Sequence, residues 1–297
     1  MAPLRLTTWL VLMIWSLSTP LSSSEVHALP KFKLLTESAQ KKKKSFLVVI
    51  DPGHGGSDLG AQLKLGKRTL YEKDLTLLLA QSISQSLSKI KIQSVLTREI
   101  DKELPLAERT RIANQMGADL FISIHMNSHH HEHKTASIGG FETYILNRTT
   151  NEASKRLARL ENSVLDGSVA DSFENQTDVA LIVKDLLLDA NLESSKQVAC
   201  LVQDGIVKAS GRYYSTAQRK KRNRGVKQAL FYILLGADMP SILLEAGFIT
   251  HPVDRSIMRS SRKRAVISKA IAKAIDRYRH QKSTSSHPKQ LHTCQIH

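Results

Sequence analysis

Apolar positions along the chain switch repeatedly between a strand period and a helix period. FLVVI, from Phe46 to Ile50, is a continuous apolar run that reads as a buried strand. Leu75, Leu78, Leu79, Ile83, Leu87 and Ile90 then recur at helical spacing. QSVLTR predicts a second strand. LAERTRIANQMGA predicts a helix with Ile112, Ala113 and Met116 on one face. ADLFISIHMNS is a third strand whose unbroken apolar run suits burial on both faces, and GGFETYIL is a fourth. From residue 151 to about 209 the pattern becomes successive helices: NEASKRLARLENSVL, DVALIVKDLLLDA and ESSKQVACLVQDGIVKA. Strands return in ALFYIL and PSILLEA, and RAVISKAIAKAIDRYR closes the pattern near residue 280. This alternation predicts an α/β fold: one domain, residues 45–280, with a twisted, mostly parallel sheet flanked by helices. Residues 151–195 read as a helical insertion into it. Residues 29–44 read as a basic linker, and 281–297 as a polar, disordered tail.

The first residues change where the protein is expected to act. Arg5, an apolar run from Trp9 to Leu17, and small and polar residues beyond it follow the layout of a secretory signal. Cleavage is expected after Ala28, giving a signal peptide of residues 1–28, with a site near Ser23 as the alternative. The apolar run is too short to span a bilayer comfortably, so no transmembrane segment is expected after cleavage. An uncleaved anchor is the weaker reading, and in either case the body is exported.

Charge adds a second constraint. The formal net charge is +16, concentrated in KKKK at Lys41–Lys44, in RKKRNR at Arg219–Arg224 and along the last residues. Such clusters attract polyanions. Export argues against nucleic acid and leaves anionic lipid or wall polymer, beside the plain reading of solvated loops. The two cysteines are Cys200, in a helical pattern, and Cys294, in the tail. Export permits a disulfide, but two distant residues make no disulfide framework. Cys200 is therefore expected to pack as a small apolar residue, unpaired.

Four chemistry-bearing residues stand at element ends. His54 follows the first strand in VVIDPGHGGSDLGA, Glu72 precedes the first helix, His125 ends the third strand, and Glu245 ends the last. Carboxyl ends of parallel strands share one edge, where ligands bind. Two imidazoles and a carboxylate suit a catalytic zinc ion with one position open to water, and a second carboxylate can take the proton of that water. The spacing matches no local zinc motif, so convergence at the edge carries the argument. Gly53, Gly55 and Gly56 are expected to supply positive φ and close backbone approach. Asp51 reads as a turn initiator first and as a partner of an imidazole second. Asn127 shares a strand face with His125 and is either a substrate contact or a strand-ending polar residue. HHHEH, from His129 to His133, reads as a solvated loop.

Taken together, VVIDPGHGGSDLGA, EKDLTLLLA, TR at Thr97 and Arg98, ERTRIAN, ADLFISIHMNS, NRGVKQALFYIL and PSILLEAGFITHP closely resemble the zinc-dependent N-acetylmuramoyl-L-alanine amidases of the bacterial cell-separation type (amidase family 3), over roughly residues 45–280. The resemblance implies a hydrolase that cuts the amide between N-acetylmuramic acid and the L-alanine of the peptidoglycan stem. It implies one zinc ion (Zn2+) on His54, Glu72 and His125, with Glu245 as the catalytic carboxylate. It further implies a periplasmic enzyme of cell-wall remodelling and cell division. In that type a helical insertion covers the metal until an activator protein displaces it. Here that points to residues 151–195, with Glu161 as the autoinhibitory ligand and Asp166 and Glu174 as rivals. A zinc peptidase or deacetylase on the same polymer, or a non-catalytic wall-binding scaffold, are the alternatives.

Overall fold

The computed structural model describes residues 45–129, 138–164, 177–284, 294 and 296. The expected signal, the basic linker, His130–His133 of the histidine run, and Asp166 and Glu174 lie outside the described residues. A six-stranded sheet forms the centre, built from β1 (Leu47–Pro52), β4 (Gln93–Leu96), β5 (Leu120–Asn127), β6 (Phe141–Leu146), β7 (Asn223–Ala229) and β8 (Ser241–Phe248). The spatial order is β4-β1-β5-β8-β6-β7. The first four strands run parallel, β6 runs antiparallel to β8, and β7 pairs parallel with β6. The sheet is thus mixed and mostly parallel, as the alternation of elements predicts.

β1, β5 and β8 are buried nearly throughout because helices cover both faces. One face carries α1 (Glu72–Ser88), α4 (Thr177–Ser210), α7 (Pro252–Arg259) and α8 (Ser261–Thr284) over Val48, Ile50, Ile122, Ile242 and Leu244. The other carries α2 (Leu106–Gln115), α3 (Glu152–Asn162) and α6 (Tyr232–Leu235) over Val49, Phe121, Tyr144 and Leu243. A short helix, α5 (Thr216–Arg222), leads into β7, and β2 (Gln62–Leu65) and β3 (Arg68–Tyr71) form a separate antiparallel hairpin. Among the described residues no helix is long and apolar enough to cross a membrane.

Several expectations are corrected. ALFYIL is not a strand: β7 ends at Ala229, and Tyr232–Leu235 is helical. Apolar residues at 230, 231, 233 and 234 satisfy a helix period as well as a strand period. The strand itself, NRGVKQA, is masked in sequence by its charges. The two helices expected across 178–209 are one continuous helix, since neither Pro nor Gly interrupts the chain between them. On α2 the buried residues are Arg109, Thr110 and Ala113, while Met116 is exposed, because this helix turns a polar face toward β1. Cys200 and Cys294 form a disulfide, against the expectation of an unpaired Cys200. The tail is not wholly free either: α8 continues to Thr284, and Ile296 bridges to Val226 of β7.

Candidate metal centre and active site

The carboxyl ends of β1, β5 and β8 share one edge with the start of β6, which runs the other way. His54 follows β1, His125 lies near the end of β5, and Glu245 is its register partner on β8. Glu72 is the first residue of α1, directly after the hairpin. Its Oε2 accepts from Ala61 N–H at 2.8 Å and its Oε1 from Met126 N–H at 2.7 Å, so both oxygens are fixed.

One ligand atom each from His54, Glu72, His125 and Glu161 lies within 4.8 Å of the others. Glu72 Oε1 is 3.2 Å from His54 Nε2 and 3.3 Å from His125 Nδ1. Glu161 Oε2 is 2.9 Å from His125 Nδ1 and 3.4 Å from His54 Nε2. A tetrahedral zinc with bonds of about 2.0 Å separates its ligand atoms by about 3.3 Å, so these separations fit the edges of such a site. The two imidazole nitrogens are also buried and make no hydrogen bond. Buried polar atoms of that kind are rare without a ligand. The donor set therefore fits a divalent metal with nitrogen and oxygen ligands.

Local conformation serves this convergence. His54 itself takes a left-handed φ of 61°, uncommon for a residue with a side chain, and its Nδ1 meets both oxygens of Asp58 at 2.9 Å. That contact leaves Nε2 directed at the centre, the usual support for a ligating imidazole. A Cβ on Gly53 would lie 2.5 Å from the His125 ring, and one on Gly60 would lie 2.6 Å from the His54 ring and 2.8 Å from Glu72. The close approach expected of the glycines thus belongs to Gly53 and Gly60. Gly55 and Gly56 do have positive φ, but they face the backbone at Lys102 and Glu103 instead.

Asp51 neither initiates a turn nor touches an imidazole. It is a buried β1 residue that accepts from Thr97 Oγ1 at 2.5 Å, Arg109 Nη1 at 2.9 Å and Ser123 Oγ at 2.9 Å. Arg109 continues to the carbonyls of Pro52 and His54, holding the His54 loop from below. Asp58, Arg109 and Arg98 are supports that the sequence reading missed. Arg98 is buried and donates to the carbonyls of Pro52, Gly53 and Lys73. Asp58 is marked in sequence only as a charge in a glycine-rich segment. Arg98 and Arg109 stand among other charged residues, Glu99 and Asp101 beside the one and Glu108 and Arg111 beside the other, so nothing local singles them out.

Burial and charge set the protonation of the metal-free centre. Burial lowers the His54 pKa, but the Glu72 charge and the Asp58 contact outweigh it and raise it to about 10. Burial opposes the lowering of Glu72, which the charged His54 and the contacts with both imidazoles bring about. Glu245 is fully enclosed, and neither of its oxygens has a hydrogen-bond partner. Its pKa is raised well above the ordinary value, by burial first, against the pull of His125, and then by the charges of Glu161, Glu72 and Glu142. Such an environment favours a group that takes and returns a proton.

Glu161 reaches the centre from α3, whose Leu157 and Ala158 pack on the sheet face below. A cavity of about 450 Å³ opens beside it, lined by His54, Glu72, Asn127, Leu160, Glu161 and Val164 among others. Asn127 thus stands on the wall of the same cavity as His54, Glu72 and Glu161. Leu160 and Val164 are exposed beside it.

Residues 48–277 match the family described as N-acetylmuramoyl-L-alanine amidase. The chain is 32% identical over 267 residues to N-acetylmuramoyl-L-alanine amidase AmiA of Escherichia coli (strain K12), spanning 88% of this chain and 83% of that protein. The crystal structure of the N-acetylmuramoyl-L-alanine amidase from Clostridium difficile 630 superposes with a TM-score of 0.57 at 29% identity, covering 80% of this chain and 98% of that one. N-acetylmuramoyl-L-alanine amidase AmiC2 of Nostoc punctiforme does so with a TM-score of 0.54 at 29% identity, covering 79% and 97%. With this span of sequence and the fold in common, the chain belongs to the N-acetylmuramoyl-L-alanine amidases, hydrolases that act on peptidoglycan.

Proposed function

We propose that this amidase works with one zinc ion held by His54, Glu72 and His125, that Glu245 is its general base and acid, and that Glu161 blocks the site at rest. The observation that carries the reading is the convergence of four donor atoms within 4.8 Å beside a buried, unpartnered carboxylate. When bound, zinc supplies Lewis acidity toward the scissile carbonyl and toward water. Glu245 accepts the proton of the attacking water and delivers it to the departing nitrogen of L-alanine, which leaves poorly as an anion. Its enclosed setting keeps the proton on or near that carboxylate between the two transfers. Asp58 holds the His54 ring, and Gly53 and Gly60 keep backbone bulk off both rings. Asn127 orients the substrate from the cavity wall.

In the resting state Glu161 occupies the position that water needs, and α3 must move before substrate can enter. A partner protein that seizes α3 would serve as the activator, in a role suited to daughter-cell separation. The signal-like N-terminus, the cell-wall substrate and the Cys200–Cys294 disulfide together support export to an oxidising periplasm.

The decisive experiment is mass spectrometry of peptidoglycan digested by zinc-loaded protein. Release of intact stem peptides with a free N-terminal L-alanine is expected. His54→Ala should lose both zinc and turnover, Glu245→Ala should keep zinc and lose turnover, and Glu161→Ala should raise the basal rate. Full turnover by Glu245→Ala would sink its assignment, and an unchanged rate in Glu161→Ala would sink the block.

A further inference from the structure

Next to Glu245, on the strands beyond it, lies a charged cluster of which only the Glu142 charge enters the account of the site above. Glu142 on β6 is the register partner of Glu245 on the adjacent strand and is buried. Its carboxylate meets Lys227 Nζ at 2.9 Å, Arg224 Nε, and the Tyr144 hydroxyl at 2.5 Å. Two cations therefore face a single anion, leaving one excess positive charge beside the reaction centre.

The backbone is specifically arranged to make this pair. Arg224 and Lys227 are three residues apart, so a regular strand would send them to opposite faces. Between them the pairing of β6 and β7 shifts register, with Phe141 opposite Asn223 but Thr143 opposite Val226. The extra residue sits at Gly225, which has a φ of 83°. The Asn223 side chain accepts from Gly225 N–H at 3.1 Å and from Gln203 Nε2 at 2.8 Å, fixing the bulge from α4. The bulge resets the alternation and brings both cations to Glu142. Aromatic rings then support each: Arg224 Cζ lies 5.1 Å from the Phe248 ring centroid and Lys227 Nζ 5.8 Å from that of Tyr144. Because Arg224 engages Glu142 through Nε, its planar pair of terminal nitrogens is the edge suited to a second carboxylate.

We infer that Arg224 and Lys227 form a carboxylate subsite for the stem peptide, recognising a free carboxylate on the residue that follows L-alanine. This rests on the site assignment proposed above. Neighbouring strands lie about 4.8 Å apart, and one extended residue advances the chain by about 3.5 Å. A stem peptide leaving Glu245 across β6 therefore brings the carboxylate of its second residue to the cation pair. Glu142 is the internal counter-ion that keeps the two side chains in place when no substrate is bound.

The test uses two N-acetylmuramyl tripeptides that differ only at the second residue, one with a free carboxylate and one with the corresponding carboxamide. Hydrolysis is measured with the zinc-loaded full chain carrying Glu161→Ala, so that α3 does not limit entry. The parent is expected to favour the free carboxylate by about tenfold or more in kcat/KM, the scale of a charge-assisted hydrogen bond. Adding Arg224→Gln or Lys227→Met should bring that ratio toward one, and Arg224→Lys should restore part of it. The ratio is read on whatever activity survives, so a loss of folded protein does not move it. A ratio that persists in both variants overturns the subsite. Equal hydrolysis of both compounds by the parent overturns it alone, and hydrolysis of neither overturns the site assignment and the subsite together.

Discussion

Asp51 lies beneath the site with its carboxylate fully enclosed between Arg109, Thr97 and Ser123. Burial alone would raise its pKa, but the Arg109 charge and the three hydrogen bonds hold it below the ordinary carboxylate range. A group whose folded pKa is depressed stabilises the fold fully above its unfolded value, about 4, and loses that contribution as pH falls through the folded value. Stability to urea should therefore drop steeply below pH 4. Asp51→Asn leaves the Arg109 charge buried without its partner, so it should cost about 3 kcal/mol at pH 7 and flatten the acid limb. Equal slopes for both proteins below pH 4 would refute the linkage. At this scale the sequence was legible where chemistry declares itself: His54 follows β1, Glu72 opens α1 and His125 lies near the end of β5, and their donor atoms converge. Glu245 does stand beside His125, but inside β8, which runs on to Phe248 instead of ending at that carboxylate. It was opaque where a role depends on a partner far along the chain. Asp51 and Asp58 are both acids beside His54, and nothing local says that Asp58 meets its ring while Asp51 meets Arg109.

If Glu161 blocks the site as proposed, α3 is the element on which resting activity depends. Its first turn is capped by Asn151 Oδ1, which accepts from the N–H groups of Ala153 and Ser154 at 3.0 Å. Its last turn is tied down by Asn162, whose Nδ2 donates to Leu230 C=O at 2.9 Å and whose Oδ1 accepts from Tyr232 N–H at 2.9 Å. Between these anchors little apolar surface is buried, as Leu157 is only partly covered and Leu160 is exposed. Held by so few contacts, the helix is suited to local opening. Asn162→Ala removes two hydrogen bonds worth about 1 kcal/mol each and touches neither the donor atoms nor Glu245. It should raise basal hydrolysis of peptidoglycan by up to about thirtyfold, the factor that about 2 kcal/mol represents, while zinc content stays unchanged. An unchanged rate would mean that α3 is held by something other than this anchor. Elements were legible in proportion to their regularity. β5 and β8 were plain apolar runs, whereas β7 hides behind Arg224 and Lys227 because a bulged edge strand need not alternate.

Across the whole molecule, the Cys200–Cys294 disulfide joins the long helix α4 to the end of the chain, across a separation of 94 residues. No local pattern announces it, because the pairing requires α8 to return along α4 and deliver the tail to Cys200. The crosslink does more than restrain a terminus. Ile296, two residues beyond it, bridges to Val226, between Arg224 and Lys227 on the edge strand. An open strand edge is a liability, and the tail covers this one at the point where the cation pair is built. Restricting the unfolded chain by a loop of this length stabilises the fold by about 4.7 kcal/mol in the chain-entropy view, within an observed range of roughly 2–5 kcal/mol. A chain with both Cys200→Ser and Cys294→Ser should therefore unfold at lower urea concentration than the oxidised protein. Dithiothreitol should bring the wild type to the same midpoint and leave the double variant unmoved. Coincident midpoints for oxidised and reduced wild type would show that the covered edge and the packing of α4 on α8 stabilise the fold without the crosslink.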